Sequence, residues 1–273
     1  RDEAILATNT SSLPLETLAN VLQRPGRFVG MHFFNPVALM QLVEAVSHDA
    51  VEEEAFRKAK AFLRRLDKLP APVRSSPGFL VNRCLMPYLL EALLMLDEGA
   101  KPESIDQAAE RFGMPMGPVE LADQVGLDIA LSVADVLQER LSSPLPELPS
   151  WFREKVQGGS YGRKSGNGLY AWKNGEAQKN EDPPEPTAEM EDRLMLPLLN
   201  ACATCLREGV VSDTQTVDAA MIFATGFAPF RGGPMHYAER RGYAEIAGRL
   251  EEFRDKFGDR FTPDAYWRER ANP

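Results

Sequence analysis

Two stretches in the later part of the chain repeat one another. Pro87 and Pro197 stand 110 residues apart, and so do Gly99 and Gly209. Asp106 and Asp218 are 112 apart, and Gly117-Pro118 and Gly233-Pro234 are 116 apart, a drift that small insertions produce. Chance alignment of helical sequence is the alternative, but a proline, a glycine, an aspartate and a Gly-Pro pair in the same order favour a duplicated helical unit. Such a unit has an apolar face to bury, and a second copy in the same chain can cover it. Helical periodicity runs over 79–96, 102–112 and 119–141, breaks at Ser142 to Pro146, and resumes at Glu191. Between these lie the glycine-rich tract Gly158 to Gly168 and a polar run, Lys173 to Pro186, that reads as a linker.

The first 75 residues have a different grammar. Ala4 to Thr8 is a short buried strand, and Pro14 to Leu22 has a helical period with Ser12 as a plausible cap. Arg27 to Phe34 and Gln41 to Val46 read as strands joined at Asn35-Pro36. Val51 to Leu66 is an amphipathic helix, and Leu69 to Val73, interrupted by proline, belongs at a sheet edge. That order is α/β, but only part of such a sheet. The expected organisation is therefore α/β plus all-α: residues 1–74 as a truncated Rossmann-like unit, then helical domains over 75–182 and 183–273.

Bulk properties exclude several classes. A length of 273 residues suits two or three compact units. No apolar run approaches 18 residues free of charge or proline, so no transmembrane span is read, and a cytoplasmic setting is expected. The net charge of −9 argues against general affinity for nucleic acid or anionic membrane. Three cysteines, Cys84, Cys202 and Cys205, make no paired framework. Cys202-Ala-Thr-Cys205 has metal or redox spacing, yet nothing completes a tetrahedral set, so it reads as helix packing and no metal is expected.

Chemistry concentrates in four segments: Asn9-Thr10-Ser11-Ser12, Gly30-Met31-His32-Phe33-Phe34-Asn35-Pro36, Leu42-Val43-Glu44, and Ser76-Pro77-Gly78-Phe79-Leu80-Val81-Asn82-Arg83. Together they resemble the 3-hydroxyacyl-CoA dehydrogenase family, and the resemblance extends through Gly162-Arg163-Lys164-Ser165-Gly166-Asn167-Gly168-Leu169-Tyr170 into the second helical repeat. The duplicated helices resemble the multifunctional fatty-acid-oxidation type, the alpha subunit of the complex, with helical domains like the C-terminal domain of 6-phosphogluconate dehydrogenase. The resemblance implies oxidation of (3S)-3-hydroxyacyl-CoA to 3-ketoacyl-CoA with NAD. It makes His32 the general acid/base and Glu44 its partner, Ser11 and Asn82 substrate-binding, and Asn9 and Asn35 cofactor-binding. The chemistry agrees: alcohol oxidation needs a proton acceptor that titrates near neutrality, and a carboxylate on the far ring nitrogen fixes the tautomer. Glu44, flanked by Leu42, Val43, Ala45 and Val46, needs a partner on any reading.

The blander alternatives are that Ser11 caps the next helix and that Asn82 bonds locally at the Ser75-Ser76-Pro77-Gly78 hinge. His48 and His236 are surface or packing residues. Coenzyme A is polyanionic, and the candidates to meet it are Arg64, Arg65, Lys68, Arg83, Arg163 and Lys164. The Gly-x-Gly-x-x-Gly loop that grips dinucleotide pyrophosphate is missing, as is an upstream hydratase region, so a fragment with little activity of its own is expected. The competing class is a non-catalytic helical scaffold that binds a thiolase subunit or itself as a homodimer. A related β-hydroxyacid dehydrogenase would use a lysine base, and no lysine stands in comparable context.

Overall fold

The computed structural model describes residues 3–11, 14–141 and 145–271. Its internal contacts form two compact units that do not follow chain order: residues 1–83 with 202–237, and residues 84–201 with 238–273.

The first unit is built on a four-stranded sheet in the order β1 (Leu6–Thr8), β2 (Phe28–Phe33), β3 (Leu42–Ser47) and β4 (Leu69–Arg74). A short helix, α1 (Leu15–Ala19), lies between the first two strands, and α2 (Glu53–Arg65) precedes the fourth. The sheet is mixed: β1 and β2 are parallel, β2 and β3 antiparallel, β3 and β4 parallel. The proline-bearing β4 takes one edge, where a missing N–H is tolerated, and β1 takes the other, so that Leu6 and Ala7 are exposed and not buried as expected. Val29, Met31, Val43 and Ala45 point to one face and bury Ala59 and Leu63 of α2. Those helix positions sit four apart on one stripe, with Glu53 and Glu54 in the first turn and Arg64 and Arg65 in the last, matching the helix dipole.

Strand alternation sends the intervening residues to the opposite face. There Gly30 leaves no room for a side chain, since a Cβ would fall 2.7 Å from Val46 Cβ and 3.1 Å from Leu15 Cδ2. Ser12, the expected cap of α1, lies outside the described residues. The Leu15 N–H donates instead to Ser75 Oγ (3.2 Å), whose hydroxyl donates to Glu16 (2.8 Å), so α1 is capped from 60 residues away.

The helical sequence begins with α3 (Val81–Asp97), α4 (Pro102–Phe112), α5 (Pro118–Val125), α6 (Leu127–Arg140) and α7 (Ser150–Gln157). The single helix expected over 119–141 is two, because Gly126 adopts φ 104 and ψ 124 and ends the first one. Of the expected break at 142–146, residues 142–144 lie outside the described residues. The presumed linker holds a hairpin, β5 (Ala171–Lys173) and β6 (Glu176–Gln178), turning on Asn174 and Gly175, both at positive φ. Next come α8 (Ala188–Arg207), α9 (Thr214–Thr225), α10 (Pro234–Arg241), α11 (Tyr243–Phe257) and α12 (Ala265–Ala271). Within the second unit, the buried Arg193 bonds Glu91 (2.7 Å) and Glu98, and Arg260 closes on Glu91 (2.8 Å). No described helix is long and apolar enough to cross a membrane.

Candidate active site

In the β2–β3 ladder His32 stands directly opposite Glu44. Directly opposed residues share a face with their Cβ atoms about 5 Å apart, so the pairing follows from register alone. The face is the one turned away from α2. Glu44 is wholly buried and His32 nearly so, and His32 Nδ1 lies 2.6 Å from Glu44 Oε2. The rings of Phe34 and Phe79 flank the imidazole, with centroids at 4.5 and 5.7 Å.

The second carboxylate oxygen is also committed. Leu80 and Val81 both donate their N–H groups to Glu44 Oε1 at 2.9 Å. They open α3, so the carboxylate sits at the N-terminus of a 17-residue helix, where free amides and the helix dipole favour an anion. With two amides on one oxygen, the other is left to accept from His32 Nδ1–H. That arrangement suits the Nδ1–H tautomer, which leaves the Nε2 lone pair available. The amides reach Glu44 because the preceding turn is left-handed at Gly78 (φ 71) and again at Phe79 (φ 51). Sequence reasoning placed a hinge at Ser75 to Gly78 but missed both these backbone donors and the left-handed Phe79.

The other expected residues fall at varying distances from this centre. Asn82 is half-buried in the first turn of α3, next to Val81. Asn9 Oδ1 accepts the Phe33 N–H at 2.9 Å, tying the C-terminal end of β1 to that of β2 beside His32. Ser11 is half-buried on the bend after β1, and no bond joins it to the pair. Asn35 is exposed at a cis Asn35-Pro36 peptide. The parallel β1 and β2 end side by side here, at the edge where such sheets receive ligands.

Half of the basic residues expected for coenzyme A have internal employment. Lys68 donates to the Val37 and Met40 carbonyls (2.6 and 2.8 Å), Lys164 pairs with Asp128 (2.6 Å), and Arg83 is buried against Ser76 and Glu208. Arg64, Arg65 and Arg163 are exposed. His48 is a packing residue: Nε2 donates to the Phe28 carbonyl (3.0 Å) and Nδ1 accepts from Ala50 N–H (3.3 Å). His236 is exposed at the start of α10. Cys84, Cys202 and Cys205 are buried and form no disulfide, and among the described residues no cluster is placed to hold a metal.

The glycine-rich tract is a structural turn. Asp123 accepts from the Leu169 and Tyr170 N–H groups and from Trp172 Nε1 (2.7, 2.8 and 2.8 Å), and a Cβ at Gly168 would fall 2.0 Å from its Oδ1. Burial pushes the Asp123 carboxyl up against these bonds. Asp106, also buried, accepts from Val119 N–H and Tyr170 Oη–H (both 2.8 Å) and faces Lys179 at 3.3 Å. Burial pushes Asp106 from 3.8 to about 6 despite those partners.

A mixed sheet with a buried His–carboxylate pair near the ends of its first two strands, followed by helices, has a family. Residues 1–76 match the 3-hydroxyacyl-CoA dehydrogenase NAD binding domain, and residues 78–172 match the 3-hydroxyacyl-CoA dehydrogenase C-terminal domain. The chain belongs to the 3-hydroxyacyl-CoA dehydrogenase family of oxidoreductases, with its Rossmann-type, NAD-binding fold.

Among its relatives is the fatty acid oxidation complex subunit alpha of Vibrio vulnificus, 36% identical over 273 residues. The match takes in 96% of this chain and 39% of that protein, so the chain spans about two fifths of the relative's length. Its fold is similar to the crystal structure of 3-hydroxybutyryl-CoA dehydrogenase from Escherichia coli, with a TM-score of 0.84 and 26% identity over 98% of this chain and 75% of that one. It is also similar to the dehydrogenase part of multifunctional enzyme 1 from C. elegans, with a TM-score of 0.65 and 27% identity, over 98% and 65% of the two chains.

Proposed function

We propose that this chain carries the proton-transfer half of a 3-hydroxyacyl-CoA dehydrogenase of fatty-acid oxidation, acting on (3S)-3-hydroxyacyl-CoA. The observation that carries the reading is the 2.6 Å contact between His32 and a Glu44 carboxylate held at the start of a helix. His32 Nε2 takes the proton of the substrate's C3 hydroxyl. The positive charge that develops on the ring is offset by Glu44, whose position the Leu80 and Val81 amides fix before substrate arrives. NAD, when bound, accepts the hydride from C3, leaving the ketone. Ser11 and Asn82 hold the substrate oxygens, and Asn9 and Asn35 border the cofactor. Binding of acetoacetyl-CoA, measured by calorimetry, tests these roles. Ser11→Ala and Asn82→Ala should each weaken it by about 5- to 100-fold, the worth of one hydrogen bond to a polar ligand group. Affinity unchanged in both variants would remove them from the site.

The 273 residues contain no Gly-x-Gly-x-x-Gly sequence, and we read no other pyrophosphate grip in them. We therefore expect little reduction of acetoacetyl-CoA with NADH by these residues alone, and robust turnover would refute that. The domain plan is read as a Rossmann-like portion (1–74) and two duplicated helical domains (75–182 and 183–273). What supports duplication is local geometry. Asp106 accepts from the N-terminal amides of α5, as Asp218 does from those of α10 (Met235 N–H, 2.6 Å). Gly113 and Gly226 both end their helices left-handed, and Gly126 and Gly242 open α6 and α11 with φ/ψ of 104/124 and 99/123. A cytoplasmic, reducing setting suits the unbridged cysteines. A thiolase subunit or a second copy would find Phe230 and Val21 exposed at 74% and 82%.

A further inference from the structure

The turn that aims the Leu80 and Val81 amides at Glu44 is held from outside. Phe79 has φ 51, a conformation rare for a bulky side chain, directly after a left-handed Gly78. Such a turn persists only when its surroundings over-determine it. Three contacts do so. The Phe79 side chain is buried beside His32. The Arg83 N–H donates to the Gly78 carbonyl at 3.3 Å. The Arg83 guanidinium then folds back, giving Nη1 to Ser76 Oγ (2.9 Å) and Nη2 to Glu208 Oε2 (2.5 Å).

Glu208 lies at the end of α8, 125 residues from Arg83, and two positions later the Val210 carbonyl accepts the Arg74 N–H at 2.8 Å. The corner at 208–210 therefore holds the hinge at both ends, at Arg74 before the turn and at Arg83 after it. Arg83 is only 6% exposed and its fork is engaged on Ser76 and Glu208, so it is committed to the hinge and not to a soluble anion.

We propose that Arg83 and Glu208 are positioning residues for the His32–Glu44 pair: the ion pair keeps the Gly78–Phe79 turn closed, and the closed turn keeps two amides on Glu44. The proposal rests on the reading of His32 and Glu44 as the proton-transfer pair. It gives the second helical repeat a part in the site of the first, through Glu208.

Hydrogen exchange and NMR on the 273-residue chain test this without any need for turnover. In Glu208→Ala the Leu80 and Val81 amides lose about tenfold or more of their protection, while amides of α11 keep theirs. The downfield Nδ1–H line of His32 weakens in the same variant. Glu208→Gln, which retains an acceptor for Arg83, restores both. The double variant Arg83→Met with Glu208→Leu leaves no buried charge unpaired and is expected to melt near the wild type, yet it shows the same local loss. Unchanged protection at Leu80 and Val81 in the double variant, or a loss spread evenly over the chain in step with melting temperature, would overturn the proposal. The two readings fail separately: a local loss combined with undiminished turnover of His32→Ala in a polypeptide that also includes a pyrophosphate-binding loop discards the catalytic reading, whereas intact protection discards the positioning role.

Discussion

Replacing Glu44 by Gln changes one atom of a side chain that is buried and engaged at both oxygens. Three donors meet the carboxylate: His32 Nδ1 at 2.6 Å on Oε2, and the Leu80 and Val81 amides at 2.9 Å on Oε1. A glutamine has one carbonyl to offer. Turning its NH₂ toward the helix would leave two buried N–H groups without an acceptor, at about 1–3 kcal/mol each, or about 2–6 kcal/mol together. The carbonyl therefore stays on the amides and the NH₂ faces His32. Nδ1 must then accept, and the ring proton moves to Nε2, the atom that takes the substrate's proton in the proposed reaction. The assay is the ring ¹⁵N spectrum, and His48 is an internal standard because its own bonds fix it as the Nε2–H tautomer. Wild-type His32 is expected as Nδ1–H and the variant as Nε2–H, with stability within about 1 kcal/mol of the wild type, since shape is conserved. Turnover in a polypeptide that includes the pyrophosphate loop falls by about 10²–10⁴-fold, as for a general base held in the wrong tautomer. A variant whose His32 remains Nδ1–H would refute the reasoning.

Other outcomes follow from the second unit. Asp106 is raised by burial from 3.8 to about 6, so the folded chain holds that proton more tightly than the unfolded one. Its contribution is present at low pH and is lost as pH rises between about 4 and 6. Stability of the wild type relative to Asp106→Asn should fall over that window by up to about 3 kcal/mol and be flat above it, read by thermal melts; a flat difference throughout would contradict this. A Cβ at Gly117 falls 2.2 Å from the Asp106 Cα, whereas one at Gly99 meets nothing within 4 Å. Gly117→Ala should destabilise by about 2–4 kcal/mol in urea through overpacking and loss of the Asp106 cap, against about 1–2 for the left-handed strain of Gly99→Ala. Equal losses would count against the cap. Glu44→Ala removes the acceptor of both amides and should lower stability by about 2–6 kcal/mol, well beyond Glu44→Gln.

Much of the first unit was legible because its signals are periodic. Alternation in β2 and β3 separates Val29, Met31, Val43 and Ala45 from His32 and Glu44, and the prolines of β4 place it at an edge. The break at Gly126 was not legible, since a lone glycine in a helical pattern is usually tolerated. The β5–β6 hairpin was read as a linker, because the strong Asn174-Gly175 turn signal is obscured by the polarity around it. The holding of Glu44 was hidden for a physical reason. Backbone amides have no residue identity, and Phe79 advertises nothing of its left-handed conformation. Arg83 read as a free cation because its partner, Glu208, is 125 residues away in the chain.

The most direct test of the account is the rate of NADH oxidation at saturating acetoacetyl-CoA for wild type and His32→Ala, in a polypeptide that joins these residues to a pyrophosphate-binding half-sheet. If His32 carries the proton, kcat drops by about 10²–10⁴-fold with assembly unchanged. Equal kcat in the two proteins would show that another group does the chemistry.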